Sequence, residues 1–257
     1  MFRVFPIAIL LLAGIVSAGP AKAADTIRAY TSSALSPLSR GHEYEMPGFF
    51  HEYVAAVMAE AGIALEISYL PWRRAQSEVT GGSGALLFGA TRTAEREASF
   101  RWVTRLITAE RAFLTTGPRI DSIDAARGLA RIGARSVHAR LLEARGFTNL
   151  DPGVGNSSFQ KLASGRVDAV YTVTVRARFV WTGELGRDIA DLVIGAPIEA
   201  SDIWLAASPD FDPALIERIH AASQRLIADG TYDRLHRRYF GDLAIAPPNN
   251  PALMPSF

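Results

Sequence analysis

Glu110-Arg111-Ala112-Phe113-Leu114-Thr115-Thr116-Gly117-Pro118 is the stretch that decides how this chain is divided. Glu110 to Thr116 is apolar enough for a buried strand, and Gly117-Pro118 closes it. Before it, strand-like and helix-like segments alternate. Thr26 to Thr31 reads as a strand, and Phe50, Val54, Val57, Met58 and Ala61 then recur at helical spacing until Gly62 stops the helix. Ala64 to Leu70 and Ala85 to Phe88 read as the next two strands. After the break, from Asp121, the rhythm restarts. A helix, a strand at Ala130–Ala134, a helix at Val137–Arg145 and a short strand near Thr148 follow in turn. Ser157-x-x-Gln160 has the form of a capping box opening a helix that ends at Gly165, and Val167–Thr172 is again a strand. Asp212-Pro213 supplies a cap and a first-turn proline ahead of Leu215, Ile219, Ala222 and Leu226, an amphipathic helix. Repeated strand–helix units predict mainly parallel sheets covered by helices, and the break with its restart predicts two lobes.

Outward from this body, the first 23 residues read as a secretory signal. Arg3 precedes the apolar run Ile7–Val16, and small residues lead to Ala21-Lys22-Ala23, so cleavage is expected after Ala23. A membrane anchor is the rival reading, but the run is about half of the ~20 apolar residues that a spanning helix needs. A lipid anchor would need a cysteine, and the chain has none. The expected product is a periplasmic, soluble monomer without membrane insertion. Without Arg3 and Lys22, the 27 basic and 26 acidic groups become 25 and 26, which is no footprint for nucleic acid. Nor is there a disulfide framework, so a conventional core must hold the fold. Lys161 is the one lysine of the expected mature chain, a bias that suits either an Arg-rich site or a codon preference.

Signs of catalysis are missing. There is no Walker loop, G-x-G-x-x-G, H-E-x-x-H or G-x-S-x-G, and His42, His51, His138, His220 and His236 lack metal-ligand spacing. They read as surface or packing histidines. No catalytic residue, metal or cofactor is expected.

Several blocks together carry a resemblance. Gly48-Phe49-Phe50-His51-Glu52-Tyr53 looks like a "G-F-x-x-D/E-L" motif, and Thr93-Ala94-Glu95-Arg96-Glu97-Ala98-Ser99-Phe100 looks like "T-x-E-R-x-x-x-F". Ser164-Gly165-Arg166-Val167-Asp168-Ala169 fits "x-G-R-x-D-A", and Asp229-Gly230-Thr231-Tyr232-Asp233 leads to Arg238-Tyr239-Phe240-Gly241. In this order, over Thr26 to about Leu243, the chain resembles the family 3 periplasmic solute-binding proteins, receptors of amino-acid ABC importers. The resemblance implies an α/β, two-lobed periplasmic-binding-protein clamshell, each lobe a mainly parallel sheet flanked by helices. Lobe 1 would comprise 24–115 plus 205–257 and lobe 2 116–204, with hinge crossings near Phe113–Thr116 and Ile203–Ala207. A ligand, an amino acid or small organic acid, would lie between the lobes and hold them closed before delivery to an inner-membrane permease.

The same resemblance implies site residues. Arg96 would grip a carboxylate with its planar fork, the alternative being a salt bridge to Glu95 or Glu97. Thr91 and Ala90 would add a hydroxyl and main-chain groups. Trp72 lies near an aromatic wall or else in the core, and Arg73 or Arg74 would add charge to the cleft. Ser136, opening a helix, would face an anion, although Arg135-Ser136-Val137 matches the family's "G-S/T" pair only in part. Amino-acid receptors of this kind set acids against the ligand's ammonium group. The aligned positions here are Ser32 and Val173, with Thr172 beside it, and none is acidic. Glu43 or Glu45 could substitute if their loop folds inward. An ammonium group buried without a counter-charge is costly, so the expected ligand is an anion such as a small carboxylate. Two other classes stay open: a sensory module for a membrane partner, and a dehydratase-like periplasmic enzyme on the same fold.

Overall fold

In the computed structural model, residues 26–33, 36–82, 84–153 and 156–241 are described, apart from the side chains of Ser136 and Val137. The signal-peptide reading and the Pro-rich tail from Pro247 fall outside the described residues. The first parallel unit is β1 (Ile27–Thr31), α1 (Phe49–Glu60), β2 (Leu65–Tyr69), α2 (Trp72–Thr80) and β3 (Leu86–Thr91). β1 lies between β2 and β3 and is parallel to both, as strands linked by helical crossovers must be. A 3-10 turn at Ala94–Ser99 leads into β4 (Arg101–Thr115).

The second unit repeats the plan with α3 (Ile123–Ala126), β5 (Ile132–Arg135), α4 (Ser136–Glu143), β6 (Leu150–Gly153), α5 (Ser157–Ala163) and β7 (Ala169–Val173). Here β5 lies between β6 and β7 in parallel register. After α6 (Arg176–Arg178), which continues into wider π-type turns over Phe179–Glu184, come β8 (Val193–Ile194) and β9 (Glu199–Ala207). Two helices finish the described chain, α7 (Pro213–Ala228) and α8 (Thr231–Phe240).

Among the described residues the strands run in the order β2-β1-β3-β9-β4-β7-β5-β6, with β8 on β4. β4 and β9 join the lobes. They pair antiparallel from Arg101↔Ala207 to Arg111↔Glu199. One end of β9 also bonds β3, and the far end of β4 bonds β7. The result is the two lobes that the alternating pattern predicts, in the clamshell with two crossings that the resemblance implies.

The strand expected at Glu110–Thr116 is the last part of a 15-residue strand beginning at Arg101. Its earlier half hides polar side chains by giving them partners: Arg105 meets Asp202 at 3.2 Å, Thr108 Oγ1 donates to Asp202 at 2.7 Å, and Thr104 meets Ser223 at 3.0 Å. The predicted capping box is a correction. Asn156, not Ser157, occupies the N-cap of α5 and makes no side-chain cap. Its amide is spent elsewhere, accepting from Arg176 and donating to Glu184. At α7 the reading holds, since Asp212 accepts from the Ala214 N–H at 2.8 Å and Pro213 follows.

Four apolar clusters cover the two faces of each lobe's sheet. In the largest, Phe49 of α1 is ringed by Tyr53, Tyr232, His236, Tyr239 and Phe240, with ring centroids 5.3–6.2 Å away. Two sequence blocks some 190 positions apart therefore meet in one core. The Gly48 N–H donates to the Tyr239 hydroxyl at 3.2 Å, Tyr239 donates to Glu52, and Arg238 donates to Glu52 at 2.8 Å. These blocks close the first lobe and do not touch the cleft. Fully burying each such aromatic ring contributes about 1.5–3 kcal/mol.

Candidate ligand-binding cleft

Between the lobes lies a cavity of about 310 Å³. Its floor is the crossing itself, with Ala109 from β4 and Ile203 from β9, and Arg111 stands where β4 passes into the opposite wall beside Val173. Trp72, Gly89, Thr91 and Arg96 form the first lobe's wall, with Ser36 and Leu38 beside them. Arg135, His138, Val173 and Arg176 form the other wall. Four arginines line the cavity, and no carboxylate does among the described residues.

The 3-10 turn after β3 sets the position of Arg96. Arg92 anchors that turn, bonding Glu97 through two nitrogens at 2.7 and 3.0 Å. Its guanidinium lies over Trp204 at 4.9 Å and Trp102 at 5.6 Å, and its N–H donates to the Asp202 carbonyl at 3.2 Å. Glu97 is thus committed to Arg92. Arg96 instead folds back, Nη1 donating to the Thr91 carbonyl at 3.1 Å, and makes no ion pair among the described residues.

On the opposite wall, Arg111 donates from both Nη atoms to Ser201 Oγ at 3.1 Å and lies 3.9 Å from Glu199. Glu199 also accepts from Arg145 at 3.2 Å and from the Tyr171 hydroxyl. Burial opposes its ionisation, yet these bonds and Arg111 hold its carboxyl below the usual range. Arg135 is the N-cap residue of α4 and Arg176 opens α6. Burial, then the neighbouring Arg135 charge, lowers Arg176 to about 10 despite Glu184. His138, 7% exposed, is lowered to about 4, first by burial and then by Arg111, Arg135 and Arg176, with Glu199 opposing. It is neutral at pH 7, and its buried Nδ1 has no hydrogen-bond partner among the described residues.

Of the residues singled out in the sequence, Trp72, Thr91 and Arg96 come together in this cavity. Ala90 is fully buried in the core behind β3, and Gly89 lines the cavity in its place. Ser32 and Thr172 are buried outside the lining, and Val173, next to Thr172, reaches the cleft. Arg73 is exposed on α2, and Arg74 pairs with Glu78. Ser136 is the first residue of α4, and its side chain lies outside the described residues. Glu45 lines a separate depression against α1 and α8. Sequence reasoning passed over Arg111, Arg135, His138 and Arg176. Arg111 had a signal, since a charge inside an apolar strand must be paid for by a partner or a ligand.

The sequence model of the bacterial extracellular solute-binding proteins, family 3, matches residues 27–242. The chain belongs to that family. Among proteins of curated function none matches this family 3 chain. Solved structures do. A histidine kinase sensor domain with similarity to periplasmic binding proteins aligns at 19% identity over 88% of this chain and 99% of its own, with a TM-score of 0.67. An ancestral cationic amino acid solute-binding protein aligns at 22% over 84% and 95%, TM-score 0.70. An ABC uptake transporter substrate-binding protein from Streptococcus pneumoniae with bound histidine aligns at 19% over 86% and 95%, TM-score 0.65. At these identities the likenesses establish the fold of this family 3 protein. None of its helices among the described residues is long and apolar enough to cross a membrane.

Proposed function

We propose that this family 3 protein captures a small carboxylate-bearing anion between its lobes and delivers it to an ABC importer. Residues 24–115 with 205–257 would move against 116–204 about the two crossings, in the periplasm, after cleavage behind Ala23. The observation that carries the reading is a cleft lined by four arginines and no acid among the described residues. At an effective dielectric constant of about 20, one arginine charge about 5 Å away costs a cation about 3 kcal/mol. The cationic ligands named for related structures therefore suit this cleft poorly, and an α-amino acid's ammonium group finds no counter-charge in its lining. Arg96, held by Thr91 and without an ion pair among the described residues, is the carboxylate anchor we assign, with Trp72 as the flat wall beside it.

Likeness to a histidine kinase sensor domain favours a second reading, in which the same binding event signals to a membrane partner. Catalysis is disfavoured by His138, since the arginines around it oppose its taking a proton.

Thermal-shift screening of organic acids against their α-amino counterparts tests the proposal, with calorimetry on Arg96→Ala and Arg96→Lys. Losing a charge-assisted contact of about 1.5–3 kcal/mol weakens binding about 10- to 150-fold, and lysine restores only part because it lacks the fork. Tight binding of ordinary amino acids, unchanged in Arg96→Ala, would refute it.

A further inference from the structure

We infer that the solute carries two anionic groups, one held by Arg96 on the first wall and the second by Arg111, Arg135 and Arg176 on the other. This deepens the proposed anion capture and rests on it. The second wall gathers three guanidiniums from three elements: β4, the N-cap of α4 and the start of α6. Among the described residues two carboxylates act on them, Glu199 on Arg111 and Glu184 on Arg176. Glu199 is shared with Arg145, and Glu184 is exposed and bonded to Asn156. Among the described residues that side of the cavity lining carries three guanidiniums and no carboxylate, and Arg176 is 5% exposed. An anionic group that enters between guanidiniums so placed is attracted by all three and can accept charge-assisted hydrogen bonds from them.

Two further observations point the same way. His138, more than nine-tenths buried, lines the cavity, and among the described residues its Nδ1 and the buried Nε of Arg111 have no hydrogen-bond partner. The first peptide N–H groups of α4, which no helical carbonyl can satisfy, start at the same wall.

Closure supplies the selection. Without ligand, bringing Arg96 towards Arg111, Arg135 and Arg176 sets positive wall against positive wall. A monoanion neutralises one wall and leaves the other opposed. A dianion places one negative group on each, so the closed form gains both sets of charge-assisted hydrogen bonds. A cavity of about 310 Å³ admits a short chain between the two groups. The second group is a carboxylate or a phosphonate-like anion; both present several acceptor oxygens to the guanidiniums.

Calorimetry on the intact protein separates these outcomes, using butanoate, butanedioate and 3-phosphonopropanoate, then longer and shorter dicarboxylates. A dianion is expected to bind about 10- to 150-fold more tightly than butanoate, the strength of one charge-assisted contact. Preference for the phosphonate or the dicarboxylate then identifies the second group. Arg135→Gln and Arg176→Gln should each erase most of the dianion's advantage over butanoate, whereas Arg96→Ala should weaken both probes. If Arg176→Gln, being buried, fails to fold by circular dichroism, Arg135→Gln decides. Equal affinity for butanoate and butanedioate, or an undiminished advantage in Arg135→Gln, overturns the inference while leaving anion capture intact. So does the absence of binding by every dianion at millimolar concentration. Unchanged binding of all probes in Arg96→Ala would instead overturn anion capture at this site.

Discussion

Replacing His138 with asparagine should flatten the acid sensitivity of the fold. His138 packs edge-on to Tyr171 at 6.2 Å and faces Arg111 of β4, Arg135 at the N-cap of α4, Arg176 of α6 and Glu199 of β9. Burial, and then the three guanidiniums, lower its pKa from 6.5 to about 4. The folded value is below the unfolded one, so a proton here favours the unfolded chain. Above pH 6.5 the effect vanishes; it grows as the pH falls from 6.5 towards about 4 and is constant below that. Each pH unit between the two values is worth about 1.4 kcal/mol, so the fold loses about 3 kcal/mol across this window. Urea unfolding from pH 7 to pH 4 reads it directly. Asparagine changes packing at every pH, but that offset cancels, because only the change with pH is compared. The stability of the wild type should fall about 3 kcal/mol further than that of His138→Asn over the window. Parallel curves would refute the argument and show that the site admits water. An anion in the cleft offsets the guanidiniums and raises the pKa of His138. Binding near pH 5 should then take up protons, visible as a dependence of binding heat on buffer, and His138→Asn should lose it.

Asp202→Ala should destabilise by about 3 kcal/mol in the same unfolding assay, because Arg105, 3% exposed, loses its carboxylate at 3.2 Å while remaining buried. Gly195→Ala should lower the melting temperature. A methyl group there would stand 2.0 Å from the Ile120 carbonyl oxygen and 3.0 Å from that of Phe113, and backbone cannot swing aside. Overpacking of this kind costs about 1–3 kcal/mol or more, and an unchanged melting temperature would mean that the Ile120 segment moves freely.

Much of the architecture was legible because apolar residues recur with the period of their element. Phe50, Val54, Val57 and Met58 are all buried on α1, and Leu86 to Phe88 are buried in β3. The first half of β4 was not legible. Thr104, Arg105 and Thr108 break its apolar pattern, and the residues that make their burial tolerable lie about 90 to 120 positions away, at Asp202 and Ser223. Helix α2 escaped notice for the opposite reason, since only Ala75 and Val79 of its nine residues are buried. In the cleft, Thr91 and Arg96 lie five positions apart and could be read together. The second wall draws Arg111, Arg135 and Arg176 from well-separated elements, and no spacing in a linear sequence announces that they converge. Val173 lines the cavity while Thr172 beside it is buried outside the lining, because successive strand residues face opposite sides.

The double passage between lobes also imposes an order of assembly. The two apolar clusters of the second lobe draw only on residues from Ala112 to Ile198. The largest cluster of the first lobe begins at Ile27 and is not complete until Tyr232, Tyr239 and Phe240 arrive. A chain made from its N-terminus therefore holds the ingredients of a finished second lobe while β3 still shows an open edge where β9 belongs, and Phe49 lacks the rings that surround it. The half that starts first finishes last, and for most of synthesis its unpaired strand edge is the part of the molecule most exposed to mispairing.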